Sequence, residues 1–166
     1  MKGDQITDST KSMSDSPSFP ENSRRHVLDL DDFTPNEIGM VLQDASAMSD
    51  VLKQDIRKVP VLRGKSIITL FTEASTRTRV SFEQAGKILG ADVINVSGSG
   101  SSSDKGESLY NTALTLQAMN ADIIIIRHPH AGSPYFLARH LSASVINAGD
   151  GAHAHPSQAL LDLYTI

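Results

Sequence analysis

At 166 residues, with 39% hydrophobic and 20% charged residues, the chain is long enough for one domain with a buried core. A formal net charge of -4 excludes a protein that binds nucleic acid through a broad basic surface, so any anion site must be local. The absence of cysteine excludes disulfides, thiolate nucleophiles and cysteine-bound metals, and no apolar run is long enough to span a bilayer. We expect a soluble, cytoplasmic protein with no nucleic-acid or membrane partner.

The N-terminal segment differs from the rest of the chain. Residues 1–24 contain six Ser, two Thr and two Pro among few apolar residues. Such a segment cannot bury enough surface to offset the entropy lost on ordering. It also lacks the apolar stretch of a signal peptide. We predict a disordered tail over residues 1–24 and one domain over residues 25–166.

A helix is predicted after this tail. Thr34-Pro35-Asn36-Glu37 has the pattern of a capping box with proline at the first helical position, and the helix should run to about Gln54. Its apolar residues recur at roughly helical spacing, which predicts that one face packs on the sheet. These residues are Ile38, Val41, Leu42, Ala45, Met48 and Leu52.

Four apolar runs rich in β-branched residues predict strands buried on both faces. They are Ile67 to Phe71, Val93 to Val96, Ile123 to Ile126 and Val145 to Ala148. Helical patterns lie between and after them, at Ser81 to Leu89, Glu107 to Met119, Pro134 to Leu141 and Ser157 to Ile166. This alternation predicts an α/β fold, an open parallel sheet of about four strands with helices on both faces.

Each predicted strand runs directly into a cluster of residue types that bind oxyanions. The clusters are Ser75 to Arg79, Ser97 to Gly106, Arg127 to His130, and Gly149 to Pro156. In an open parallel sheet, ligands bind beyond the carboxyl ends of the strands. The four clusters can therefore face one small anion.

The first cluster has the strongest chemistry. Ser75 or Thr76 can cap the following helix, whose free N–H groups and dipole favour a phosphate or carboxylate. Arg77 can add a charge-assisted contact. Successive helical residues are about 100° apart, so Arg77 and Arg79 should point to different sides, one toward the ligand and one structural. A basic surface turn is the alternative interpretation.

The second and third clusters are weaker signals when taken alone. The loop from Ser97 to Gly106 places a single lysine, Lys105, among hydroxyls and glycines, and a mobile loop of this kind could deliver charge to a phosphate. The alternative is a solvated linker. Arg127 follows four consecutive isoleucines, where a guanidinium needs an anion or an acid as partner. A structural ion pair is the alternative there.

Two His-x-His pairs open a competing interpretation. His128 with His130, and His153 with His155, have a spacing that on a strand can bind a metal, as in a metal-dependent hydrolase. The neighbouring Pro and Gly residues favour loops instead, and no carboxylate completes a usual ligand set. His155 instead precedes the last helix, where its imidazole could donate to a carbonyl oxygen, with Gln158 one turn further along. We expect His26 and His140 to be surface residues.

The ordered motifs resemble those of the aspartate/ornithine carbamoyltransferase family. They are Ser75 to Glu83, then Arg127-His128-Pro129, then His155 to Asp162. The resemblance covers about Val27 to Ile166, and the Asp-Lys-Gly-Glu-Ser loop is similar to the aspartate branch of the family. It implies one half of a two-domain enzyme that transfers the carbamoyl group of carbamoyl phosphate to the α-amine of L-aspartate, giving N-carbamoyl-L-aspartate and phosphate in pyrimidine biosynthesis.

The resemblance also implies a role for each matching residue. The phosphate would be held by Ser75, Thr76, Arg77 and Thr78. Arg77 would also stabilise the negative charge on the leaving phosphate. Thr78, Arg127 and His155 would polarise the carbamoyl oxygen, and Gln158 would position the carbamoyl amino group. Ser101 and Lys105 would reach the site of an adjacent subunit, which implies a homotrimer. No metal and no organic cofactor is implied.

The amino-acid-binding half of such an enzyme is not recognisable in these residues. The final helix stops without Gly, Pro or a basic last turn, so we expect the chain to be the first half of a longer protein, with Glu73 lacking a partner. Aspartate would bind through the missing half. Regulatory or pathway-enzyme partners stay open, as do ornithine or another amine as acceptor and a non-catalytic, phosphate-binding assembly subunit.

Overall fold

A computed structural model describes residues 24–97 and 108–166 of the chain. Residues 1–23 of the predicted tail over residues 1–24, and the loop containing Ser101 and Lys105, lie outside the described residues. Within the described part, strands and helices alternate along the chain. Their bounds are α1 Pro35–Leu52, β1 Ser66–Phe71, α2 Thr76–Ile88, β2 Asp92–Ser97, α3 Leu109–Ala118, β3 Ile123–His128, α4 Ser133–His140, β4 Ser144–Asp150 and α5 Pro156–Thr165.

The strands form one parallel sheet in the order β2-β1-β3-β4. All carboxyl ends therefore lie along one edge, and the helices that follow β1, β3 and β4 begin there. This confirms the predicted open parallel α/β sheet. The crossover from β2 to β3 passes over β1, which places β1 and β3 at the centre of the sheet.

Alternating side chains of the central strands fill cores on both faces of the sheet, because neighbouring residues of a strand point to opposite sides. On one face Ile68, Ile124 and Ile126 pack with Leu116 of α3 and Leu137 of α4. The other face is covered by α2, through Phe82. The buried residues of that second core are Ile67, Phe71, Ala91, Ile125 and Ala148. Helices therefore cover both faces, as predicted.

The prediction for α1 was partly wrong. The capping box is present, since Glu37 N–H donates to the Thr34 hydroxyl and the Glu37 carboxylate accepts from Thr34 N–H. However, α1 contains no buried residue, and it packs against α5 instead of the sheet. Met48 and Leu52 of α1 line an apolar groove with the end of α2, so these two apolar side chains face a helix and not the sheet.

Residues before α1 also belong to the fold. Val27 forms a parallel bridge with Ile146 of β4. His26, which we expected at the surface, is partly buried beside this bridge, and its Nδ1 accepts a hydrogen bond from Val145 N–H at 3.1 Å. Arg24 stacks on the ring of Phe33, with the guanidinium carbon 3.9 Å from the ring centroid. His140 is exposed, as expected.

Candidate anion-binding site

Two helix N-termini meet in a cleft at the carboxyl edge of the sheet. The cleft has a volume of about 340 Å³ and receives Arg77 and Thr78 from α2. From α5 and the residue before it come His155, Ser157 and Gln158. The structure therefore brings together residues that lie far apart in the sequence, because β1 and β4 end on the same side of one sheet.

The start of α2 presents uncapped backbone donors. Ser75 occupies the N-cap position, but its hydroxyl makes no capping hydrogen bond, contrary to the predicted cap. The first N–H groups of the helix thus have no side-chain acceptor from Ser75, and a helix N-terminus in this state favours an anion. Ser75 and Thr76 line a neighbouring cleft of about 300 Å³.

Arg77 and Arg79 open to different clefts, as their helical spacing predicts. Arg77 lines the cleft shared with His155, whereas Arg79 lines the neighbouring cleft together with Glu73 and Ser97. Of the two arginines, only Arg77 lines the cleft that α5 also lines. The described residues place Arg79 closer to the edge strand β2.

Arg127 lies at the end of β3, which extends to His128 and not to Ile126 as predicted. Its Nη1 donates to Ala148 O at 3.0 Å. Its Nε lies 3.5 Å from Glu73 Oε2, and this buried atom has no hydrogen-bond partner among the described residues. Glu73 therefore has a partner, contrary to expectation, because the ends of β1 and β3 are adjacent. A buried donor without an acceptor is costly, so this Nε can gain from a ligand oxygen.

His155 occupies the N-cap position of α5 and faces Arg127. Burial lowers the pKa of His155, and the positive charge of Arg127 lowers it further. Its Nδ1 lies 3.3 Å from the Ser157 hydroxyl. When that hydroxyl donates to Nδ1, the imidazole proton lies on Nε2, where it can be donated to an oxygen in the cleft. A neutral imidazole donor matches a carbonyl oxygen that gains negative charge.

Gly149 allows Arg127 and His155 to approach each other. A Cβ atom at this position would lie 2.7 Å from Arg127 Nη1 and 3.4 Å from His155 Cδ2. The residue also has a φ of +116°, which other residues rarely adopt. The sequence placed Gly149 at the start of the fourth cluster but gave it no role, although a glycine directly after an apolar run was a signal for close backbone approach.

Gln158 lines the cleft, but its side chain also has a partner on its own helix. Its Nε2 donates to Asp162 Oδ1 at 2.8 Å, one turn along α5. This bond orients the amide and leaves its oxygen as the group that can accept from a ligand amino group.

Among residues 24–97 and 108–166, no group of three or more His, Asp or Glu side chains is placed to hold a metal ion. In each His-x-His pair, one imidazole already contacts a neighbouring polar side chain. His128 contacts the Ser133 hydroxyl at 2.8 Å, and His153 contacts Asp150 at 3.1 Å. Burial lowers the pKa of His128, and the neighbouring His130 adds to that effect. No helix within the part of the chain described here is long and apolar enough to cross a membrane.

Fold and site define the class of protein: an open parallel α/β domain with a cleft of basic and hydroxyl side chains at the carboxyl ends of its strands. Residues 25–166 match the family model of the aspartate/ornithine carbamoyltransferase, carbamoyl-P binding domain. Because the match covers most of the chain, the chain belongs to this family.

Relatives and solved structures agree with this assignment. The aspartate carbamoyltransferase catalytic subunit of Roseiflexus castenholzii is 58% identical over 143 residues, covering 86% of this chain and 45% of that protein. That of Magnetococcus marinus is 58% identical over 144 residues, covering 87% and 44%. The chain thus spans less than half the length of these curated relatives.

Among solved structures, the catalytic subunit of M. jannaschii aspartate transcarbamoylase is 43% identical with a TM-score of 0.78, covering 86% of this chain and 46% of that one. Aspartate transcarbamoylase from Trypanosoma cruzi in complex with carbamoyl phosphate and aspartate is 34% identical with a TM-score of 0.78, covering 86% and 44%.

Proposed function

We propose that this chain supplies the carbamoyl-phosphate half of the active site of an aspartate carbamoyltransferase. The observation that carries the proposal is the cleft shared by Arg77, Thr78, His155 and Gln158. The buried Nε of Arg127, which has no hydrogen-bond acceptor among the described residues, lies close by. Donors that converge from two helix N-termini and a strand end suit a ligand with both a phosphate and a carbonyl oxygen.

In this proposal the phosphate lies at the N-terminus of α2. Ser75, Thr76, Arg77 and Thr78 hold its oxygens, and Arg77 stabilises the charge that develops as the phosphate leaves. The carbamoyl oxygen faces Thr78, Arg127 and His155, which donate to it more strongly as negative charge grows during attack. The amide oxygen of Gln158 accepts from the carbamoyl amino group.

The reaction then proceeds without a covalent enzyme intermediate. The α-amine of aspartate attacks the carbamoyl carbon and a C–N bond forms. The C–O bond to phosphate breaks with its electron pair leaving on phosphate, and the amine proton passes to the departing phosphate. Holding both reactants in position supplies much of the acceleration, because a bimolecular encounter becomes an intramolecular one.

The names of the relatives favour aspartate over ornithine as the acceptor. We infer that aspartate is held by residues outside these 166, because the described cleft contains no second basic cluster for its two carboxylates. A homotrimer in the cytoplasm, with Ser101 and Lys105 reaching a neighbouring subunit's site, completes the proposal.

Calorimetric titration of the 166-residue chain with carbamoyl phosphate tests the binding half. We expect binding by the wild type and a loss of at least about tenfold in affinity for Arg77→Ala, since one charge-assisted hydrogen bond disappears. Arg63→Gln is the control, because Arg63 is exposed and precedes β1 at the opposite edge of the sheet. No binding by the folded wild type, or equal affinities of wild type and Arg77→Ala, would contradict the proposal.

A transfer assay tests the acceptor. A protein that joins this chain to an aspartate-binding half should carbamoylate aspartate and leave ornithine unmodified, whereas the 166-residue chain should bind carbamoyl phosphate and transfer little. Full-rate turnover by the 166-residue chain would show that the acceptor site lies within it.

A further inference from the structure

One carboxylate near the cleft has no role in the function proposed above. Asp150 is the last residue of β4 and is fully buried. Its carboxylate accepts hydrogen bonds from Gly132 N–H at 2.8 Å, Asn147 Nδ2 at 2.9 Å and Ala154 N–H at 3.0 Å. His153 Nδ1 lies 3.2 Å from Asp150 Oδ1 and 3.1 Å from Asp150 Oδ2. A buried carboxylate survives only with such partners.

These hydrogen bonds keep Asp150 ionised. Burial by itself would raise the pKa of Asp150, but the bonds from Asn147, Gly132 and Ala154 outweigh burial and lower it. A carboxylate that stays charged holds its backbone donors more strongly than a neutral group would. The ionised carboxylate of Asp150 therefore holds the backbone at Gly132 and at Ala154 in place.

The donors come from two separate strand exits. Gly132 lies between β3 and α4, where it has a φ of +81°. Ala154 lies between β4 and α5, and its carbonyl accepts from Asp150 N–H at 3.2 Å, which closes the loop from 150 to 154. Arg127 lies at the end of the first of these strands, and His155 directly follows Ala154. One side chain thus links the two segments that carry Arg127 and His155.

We propose that Asp150 is a positioning residue, whose buried carboxylate ties the exits of β3 and β4 together and so sets the placement of His155 against Arg127. The ligand side of this inference rests on the proposed function, whereas the placement itself does not. Asp150 touches no part of the cleft, and acts through the loop that ends at His155.

The test compares Asp150→Asn with Asp122→Asn. Asparagine is nearly isosteric, but it replaces one acceptor oxygen by an NH₂ group, which leaves either Gly132 N–H or Ala154 N–H facing a donor. Asp122 is the matched control, because its carboxylate also accepts from a backbone N–H, that of Ser66 at 2.9 Å, but at the opposite edge of the sheet.

The first readout is the imidazole NMR signal of His155 in the 166-residue chain without ligand. This signal is assigned through its absence in His155→Gln. We expect the His155 signal and its titration to move in Asp150→Asn and to stay in place in Asp122→Asn. The second readout is the dissociation constant for carbamoyl phosphate, which should rise on the order of tenfold to a hundredfold in Asp150→Asn, as expected for a displaced site residue.

The inference is overturned if Asp150→Asn folds, its His155 signal does not move, and its dissociation constant for carbamoyl phosphate stays within twofold of wild type. If Asp150→Asn does not fold, Ala154 is replaced by lactic acid. This change converts one backbone amide to an ester and removes the N–H that donates to the Asp150 carboxylate. A moved His155 signal in that ester variant supports the inference, and an unmoved signal overturns it. Failure of the wild type to bind carbamoyl phosphate would count against the proposed function alone, because the His155 signal is measured without ligand.

Discussion

Replacing Arg127 with glutamine should weaken carbamoyl-phosphate binding strongly while leaving the domain folded. The change removes the guanidinium whose buried Nε has no acceptor among the described residues, and it removes the positive charge beside His155. A hydrogen bond to a charged group contributes about 1.5–3 kcal/mol. Its loss corresponds to a rise of about tenfold to 150-fold in the dissociation constant.

The cost in stability should be smaller than the cost in binding. The partner carboxylate of Glu73 is 36% exposed and 3.5 Å away, so the ion pair itself contributes at most about 1 kcal/mol. Ala148 O also loses the donor that Arg127 Nη1 provides, which adds about 1 kcal/mol. Urea denaturation should therefore show a folded variant with a modestly lower midpoint.

The same variant should change the titration of His155. Burial lowers its pKa most and Arg127 lowers it further, so without the guanidinium the pKa should rise but stay below the usual value. Arg127→Lys separates the two effects: it should keep the lowered pKa and still lose affinity, because lysine retains the charge without the planar guanidinium. Calorimetry with carbamoyl phosphate and NMR titration of His155 measure both variants, with Arg63→Gln as the control. The reasoning is refuted if Arg127→Gln binds carbamoyl phosphate within twofold of wild type and the titration of His155 is unchanged.

Three further predictions concern stability, each measured by urea denaturation. Burial and Arg127 lower the pKa of His155, so the contribution of its neutral imidazole to the unfolding free energy is fully present above the ordinary pKa of 6.5. This contribution is lost as the pH falls through the folded-state pKa. The decline of the unfolding free energy with falling pH should therefore be shallower in His155→Gln. Thr34→Ala should lower the unfolding free energy by about 1 kcal/mol through loss of the capping box, and an unchanged midpoint would show that α1 does not depend on it. Gly86→Ala should destabilise the domain by about 1–3 kcal/mol, because the added Cβ would lie 2.6 Å from Val93 Cγ2. The control Gly39→Ala, where the added Cβ has no atom within 4 Å, should stabilise by up to about 1 kcal/mol. Equal effects of the two substitutions would contradict the packing argument.

Local chemistry made much of this domain predictable from sequence. Four β-branched apolar runs bounded by polar turns predicted four strands, and the alternation with helical patterns predicted a parallel sheet. The prediction that every strand is buried on both faces was wrong for β2, which contains no buried residue because it lies at the edge of the sheet. Since all parallel strands of such a sheet end at one edge, the residues after each strand were expected near each other. Arg77 and His155 illustrate this, because they share a cleft although β1 and β4 are not neighbours in the sheet.

What the sequence determined by itself was therefore the set of elements and the edge at which the candidate site lies, since both follow from periodicity and strand direction. Only the tertiary structure decided which groups meet there: Glu73 with Arg127, Gly149 between Arg127 and His155, and Asp150 across two strand exits. It also decided that α1 packs on α5 and not on the sheet. These contacts join residues distant in the chain, and they depend on strand order and on angstrom-scale packing, which periodicity along the chain does not encode.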